Sequence, residues 1–174
     1  MSALRASGLD IDAQSGGHPA VVPDRPGDAP GIRDAQAVAN AIALDETEAA
    51  RARERFLSDP IRPLEPDATI RPLLDPRGEN VFSIRRGAII NPPLGGGHEL
   101  PGYAGTLYVT SHRLIHVGQV TMTIQLSNVD DISLAGEQLL LALRMGEGVS
   151  LRVDRPRLLR VEIAAARRAA AQPG

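Results

Sequence analysis

The spacing of apolar positions divides the chain into five stretches. Residues 1–33 show scattered apolar residues without a period, and Pro19, Pro23, Pro26 and Pro30 recur too densely for a helix or a central strand. This stretch reads as a disordered arm whose apolar anchors are Ile11, Val21 and Val22. From Asp34 the spacing becomes helical. Val38, Ile42, Ala49, Ala52 and Phe56 form a narrow stripe that predicts a helical segment over 34–58, with Asp34 as its N-cap. Asp45 followed by Glu48 offers a second capping box, which would split the segment into two shorter helices. Residues 59–76 contain Pro60, Pro63, Pro66, Pro72 and Pro76 and predict a stiff, extended linker of polyproline character.

From Asn80 the period is two. Strands are predicted from Val81 through Arg86 into Ile90, and then over Thr106–Thr110, Arg113–Val117, Val120–Leu126, Val129–Leu134, Gln138–Arg144 and Val149–Val153. Ser111-His112, Gly118-Gln119, Gly136-Glu137 and Gly146-Glu147-Gly148 supply the turns, and a Gly- and Pro-rich loop fills 91–104. Seven short strands at this spacing predict an antiparallel sandwich or barrel. The period then returns to helical. Asp154 is placed as a cap, Pro156 in the first turn, and Leu159, Ile163 and Ala166 on one face, until Pro173-Gly174 ends the helix.

A twisted sheet of seven strands curls and leaves an open end, which an amphipathic terminal helix can plug. The expected core is Leu107, Val109, Leu114, Ile124, Leu126, Ile132, Leu139, Leu141, Leu143, Leu151 and Val153, closed by Leu159 and Ile163. Each buried aliphatic side chain contributes roughly 1.5–3 kcal/mol.

Composition narrows the chemistry. With 174 residues, 43% hydrophobic and 23% charged, the chain has room for one sizeable core. Aromatic residues are only 2%, so that core is aliphatic. Absence of Cys excludes disulfides, thiolate metal sites and thiol nucleophiles, and absence of Lys excludes Schiff-base chemistry. A net charge of −2 gives no general attraction to nucleic acid. The first ten residues lack the apolar region of a secretory signal, and no apolar run approaches the ~20 residues of a membrane-spanning helix. The expected location is the cytoplasm, with peripheral attachment to a membrane as the variant.

One hairpin carries a resemblance. Gly105-Thr106-Leu107-Tyr108-Val109-Thr110-Ser111-His112-Arg113-Leu114-Ile115 resembles the G-x-L-y-v-T-x-x-R-L-I hairpin of GRAM and bacterial PH-like domains. Ile124-Gln125-Leu126-Ser127-Asn128-Val129 resembles the family's I-P-L-x-x-I step, with Gln125 in place of Pro. Asp75 to Val81 resembles its L-x-P-G-E-x-V lead-in, with one inserted residue. The resemblance covers about residues 74–170. It implies a mainly β fold with α: a PH-like seven-stranded antiparallel barrel over 77–172, capped by a C-terminal helix. Within the hairpin, Thr110 and Arg113 flank a two-residue turn, where hydroxyl and guanidinium can satisfy loose backbone groups.

Catalytic patterns are not recognisable, and no cofactor or metal is expected. His112 and His116 would lie about 13 Å apart along a strand, too far for one ion. Asp130 and Asp131, adjacent on a strand, point to opposite faces and cannot converge. The Gly95-Gly96-Gly97 run does not lead into a helix, so it lacks the geometry of a phosphate cradle. The resemblance implies a phosphoinositide site on the first strands and their loop, for which this chain offers Arg85 and Arg86, on opposite faces. The expected function is therefore a non-enzymatic binding or scaffolding module acting through a protein partner. That partner would be engaged by the stripe Val38, Ile42 and Phe56, by a sheet edge or by the arm. The alternatives are weak attachment to anionic lipid through Arg85 and Arg86, with the terminal helix's Arg157, Arg160, Arg167 and Arg168 as a further basic face, and a role as accessory subunit of an enzyme or assembly. Exposed sheet edges also allow homo-oligomers.

Overall fold

A computed structural model describes residues 30–91 and 102–171, with side chains from residue 34. The predicted arm up to residue 29 and the glycine run at 95–97 lie outside the described residues. Helix α1 (Pro30–Ser58) is followed by a 3₁₀ turn at Arg71–Leu73 and seven strands: β1 (Val81–Asn91), β2 (Tyr103–Thr110), β3 (Arg113–Gly118), β4 (Thr121–Gln125), β5 (Val129–Ala135), β6 (Gln138–Leu143) and β7 (Val149–Arg152). Helix α2 (Pro156–Ala171) follows β7.

The strands form one antiparallel sheet in the order β4-β3-β2-β1-β7-β6-β5. Ile124 of β4 and Ile132 of β5 come from opposite edges yet share one buried cluster, so the sheet bends round on itself. Leu159, Ile163 and Ala166 of α2 enter the same cluster, all three fully buried. The predicted core residues all belong to it, Leu143 as a partly buried neighbour. Ala88, Ile90, Val129 and Val149 extend it. Where β2 faces β3, Gly105 lies opposite Gly118. A Cβ on Gly105 would come within 2.4 Å of the Val117 carbonyl oxygen and 2.7 Å of His116 Nε2, so the buried His116 ring fits there only because that position has no side chain.

Several sequence expectations change. Helix α1 is continuous, starts at Pro30 rather than Asp34, and has no break at Asp45. The linker region is extended in part, but it is docked on the barrel. Leu64 bridges to Val81, and Ile70 is fully buried against Val81, Tyr108 and Ile115. The physical reason is the strand alternation. Leu107 and Val109 face the main core, so Tyr108 faces outward, and Ile115 does the same on β3. These outward apolar side chains need a cover, and the segment before β1 supplies it. Asp67 completes that cover. Its carboxylate accepts the backbone N–H groups of Thr69 and Ile70, each at 3.0 Å, and the Tyr108 hydroxyl at 3.1 Å. The Ile70 amide bond is the main reason its pKa is lowered.

Candidate functional site

The two helices meet at a corner outside the sheet, and this corner gathers most of the chemistry in the described residues. Its central feature is the start of α2. The Arg155 carbonyl accepts the first intrahelical bond, from the Leu159 N–H at 3.0 Å, so Arg155 is the N-cap residue. Arg155 has φ 56, the left-handed region, and its side chain has no acceptor. It therefore cannot cap its own helix. Asp154, the cap expected from sequence, is exposed one residue too early. The cap comes from α1 instead. Asp45, 3% exposed, accepts the Arg157 N–H at 2.8 Å on Oδ2 and the Leu158 N–H at 2.9 Å on Oδ1. Those are the second and third helical residues of α2, and Pro156 has no N–H to satisfy. Asp45 is thus a helix cap, but for a different helix from the one its local sequence suggested.

Charge pairs surround this cap. Arg155 donates to Glu48 at 2.6 Å. The Arg157 guanidinium lies 3.4 Å from Glu46, 3.5 Å from Glu137 and 3.7 Å from Asp45. Beyond the cap, Ala49 and Ala52 pack on Val161, with Phe56 and Leu158 at the margin. Alanines at these positions let the two helices approach closely. The contacts run in step, Asp45 at Arg157 and Ala52 near Val161, so the helices lie side by side in the same sense.

The three stripe residues singled out from sequence are not brought together. Phe56 is half-buried in the α1–α2 contact. Val38 and Ile42 lie on the same heptad-like seam (38, 42, 45, 49, 52, 56), but they fall before the point where α2 begins. Val38 is 53% exposed and Ile42 partly so.

Arg85 and Arg86 do lie on opposite sides of β1. Arg85 donates to Glu162 of α2 at 2.6 Å, and the Ser83 hydroxyl donates to the same carboxylate oxygen at 2.7 Å. That guanidinium is 18% exposed and already neutralised. Arg86 is exposed and lies on the other face, close enough to Asp67 to help lower its pKa. The two arginines therefore do not form a joint anion site, and the one nearer the core is engaged by the closing helix.

A second polar centre, at Glu79, was not singled out in the sequence. Its carboxylate accepts the Arg113 guanidinium at 2.9 Å (Nε to Oε1) and 2.7 Å (Nη2 to Oε2). It also accepts the Thr110 hydroxyl at 2.6 Å and the Asp75 N–H at 2.8 Å. Burial pushes this carboxyl up, but the bonds from Arg113, Thr110 and Asp75 outweigh burial and hold it at about 2, against an ordinary 4.5. Thr110 Oγ1 in turn accepts the N–H groups of His112 and Arg113, the hairpin role expected of it. Arg113 reaches one backbone group, the Leu73 carbonyl, and spends the rest of its fork on Glu79. This centre ties the lead-in to the hairpin.

Neither a family model nor a curated protein matches the chain. Among solved structures it is similar to the N-terminal PH domain of Vps36, at 15% identity and a TM-score of 0.45, covering 57% of this chain and 87% of that one. It is also similar to the C-terminal domain of an unknown protein from Leishmania infantum, at 15% identity and a TM-score of 0.37, covering 59% of this chain and 90% of that one. The described residues form the curled seven-stranded antiparallel sheet with a closing C-terminal helix that the sequence predicts.

Proposed function

We propose that the chain is a non-catalytic binding module whose recognition element is the first part of α1, inserted into an apolar groove of a partner protein. One observation carries this reading. Between Asp34 and Asp45 there is no charge, and eight of the ten residues 35–44 are apolar (AQAVANAIAL). Yet 34–41 are exposed without exception, and Leu44 is 52% exposed. The next ten residues, 46–55, carry six charges and are the part that docks on α2. A chain working alone would be expected to distribute these the other way round.

The alanines explain why the helix persists without tertiary support, because Ala has the best helix propensity. Val38, Ile42 and Leu44 are what need covering. Apolar character on every side favours a groove that encloses the helix over a flat surface that covers one stripe. The GRAM-like hairpin is compatible with such a module but does not name its partner. Attachment to anionic lipid through Arg85 and Arg86 has less support, because Arg85 is bound to Glu162. Among the described residues, no helix is long and apolar enough to cross a membrane.

The test is the double substitution Val38→Asp plus Ile42→Asp in the full chain. Both sites lie outside the α1–α2 contact, so the melting temperature should stay within about 2 °C of the parent, as is usual for surface substitutions. A photo-crosslinker at Val38 should capture a partner from native lysate, and the double variant should lose that partner in pull-downs. Recovery of the same proteins by the double variant would remove this reading. If the captured species is a second copy of the chain, light scattering will show a dimer, and the same helix then mediates self-association.

A further inference from the structure

The two edges of the sheet differ in how they are protected, and the difference points to an interaction surface. At one edge, β5 carries Asp130 and Asp131, both exposed, and its register on β6 shifts between Val129 and Asp131. Farther along β5, Leu134 lies against side chains of α1 and α2. Charge, a bulge and a cover of helices are ordinary means by which a free edge is kept from pairing. At the other edge, β4 is five residues long and pairs with β3 without a register shift. Between Arg113 and Asp130 the chain has no Arg, Asp or Glu, although 23% of its residues are charged, and no Pro interrupts β4. The backbone of this edge is therefore open to a further strand. The hydrogen-bond phase shows which groups it offers. The Leu126 N–H donates to the His112 carbonyl at 2.9 Å, and these two residues stand opposite each other when the Arg113–Gln125 register is continued by one. Antiparallel partners alternate between bonded and non-bonded pairs, so Leu114–Ile124 and His116–Met122 are the bonded ones. The N–H and C=O groups of Thr121, Thr123 and Gln125 then point away from β3, and no backbone group among the described residues pairs with them on that side.

We infer that β4 pairs with β4 of a second copy of the chain, antiparallel, about a twofold axis at Thr123. In that register the edge is its own complement. Thr123 stands opposite its counterpart and Thr121 opposite the counterpart of Gln125, so each outward N–H meets an outward C=O. Opposed threonines are a favourable cross-strand pair, and no two like charges are brought together. On the inner face, the partly buried Met122 comes beside the counterpart of Ile124, which continues the core cluster across the edge. Val120, 42% exposed just before β4, falls on that same face by strand alternation. Specific capture of a foreign peptide needs side-chain pockets beside the edge, whereas the residues flanking this one on its outer face are threonine and glutamine. The surface lies on β4 and does not depend on what covers Val38 and Ile42.

A single pair of short strands is at the small end of specific interfaces, so the test is sedimentation velocity of the full chain over about 10–500 µM. The parent is expected to pass from monomer to dimer across this range. Thr123→Lys and Thr123→Glu each set like charges against one another at the axis, and each should weaken the dimer at least tenfold. Mixed in equal amounts, the two variants set opposite charges together at the axis, and the dimer should return. Thr123 is exposed, so an unchanged melting temperature of each variant is the folding control. Hydrogen exchange at the Thr121, Thr123 and Gln125 amides should slow as the parent's concentration rises. A parent that stays monomeric at the highest concentration, a dimer that both Thr123 variants retain, or a mixture that stays monomeric overturns the inference. A dimer lost in Val38→Asp plus Ile42→Asp and kept in the Thr123 variants runs through α1, and it overturns the inference equally.

Discussion

Glu79→Gln is expected to cost about 3 kcal/mol of unfolding free energy at neutral pH, at the lower end of what breaking a buried charge pair costs. The Glu79 side chain is 1% exposed and accepts four hydrogen bonds, two of them from Arg113. The glutamine keeps a carbonyl acceptor but removes the charge that Arg113 faces. Arg113→Gln should cost at least as much, because it leaves the Glu79 carboxylate, 1% exposed, without its counter-charge, whereas the guanidinium left by Glu79→Gln is 24% exposed and can be hydrated. The pH dependence has a definite sign. The folded carboxyl sits at about 2 and the ordinary value is 4.5, so its contribution is fully present above about 4.5 and is lost as pH falls toward about 2. Urea unfolding at pH 7, 4 and 3 should therefore show the gap between parent and Glu79→Gln closing as the medium becomes more acidic. A gap that stays constant across this range would show that the carboxylate is not held in the charged form by its neighbours.

Asp45→Ala is expected to cost about 2–3 kcal/mol. It removes one acceptor group from two backbone donors at the start of α2, each worth about 1 kcal/mol or slightly more as a cap. It also removes one of the acids around Arg157. Asp45→Asn should retain part of the cap and cost less. Hydrogen exchange supplies the decisive readout. The Arg157 and Leu158 amides should exchange much faster in Asp45→Ala, and α1 should lose protection from residue 45 onward as its anchor on α2 weakens. Unchanged exchange at these two amides would mean that water caps α2 as well as Asp45 does. The same contact means that α1 is not a dispensable appendage: removing it exposes the start of the helix that closes the barrel.

Much of this arrangement was legible along the chain. Seven runs of period two separated by turn residues gave the strand count and order of appearance, because the alternation of a half-buried strand is written in consecutive residues. The closing helix was legible for the same reason, from Leu159, Ile163 and Ala166. The stripe on α1 was legible too, but its fate was not. Periodicity shows that a face is apolar, and it does not show where the neighbouring helix ends. Phe56 therefore falls inside the contact, while Val38 and Ile42 fall beyond it.

Glu79 left a weak trace. It is the acid of the lead-in segment Asp75 to Val81, and Arg113 is the arginine that follows the Ser111-His112 turn of the hairpin. Opposite charges in two motif elements of one small domain were a reason to pair them.

The amino-acid order alone thus determined the local elements and the residues that face inward, because strand and helix periods are properties of neighbouring residues. Tertiary structure alone decided which polar group meets which. Asp45 caps a helix more than a hundred residues away, the proline-rich stretch covers Tyr108 and Ile115, and Arg85 is neutralised by Glu162. Each of these pairings depends on distances that close only after the sheet has curled and α2 has seated, and no spacing along the chain encodes them.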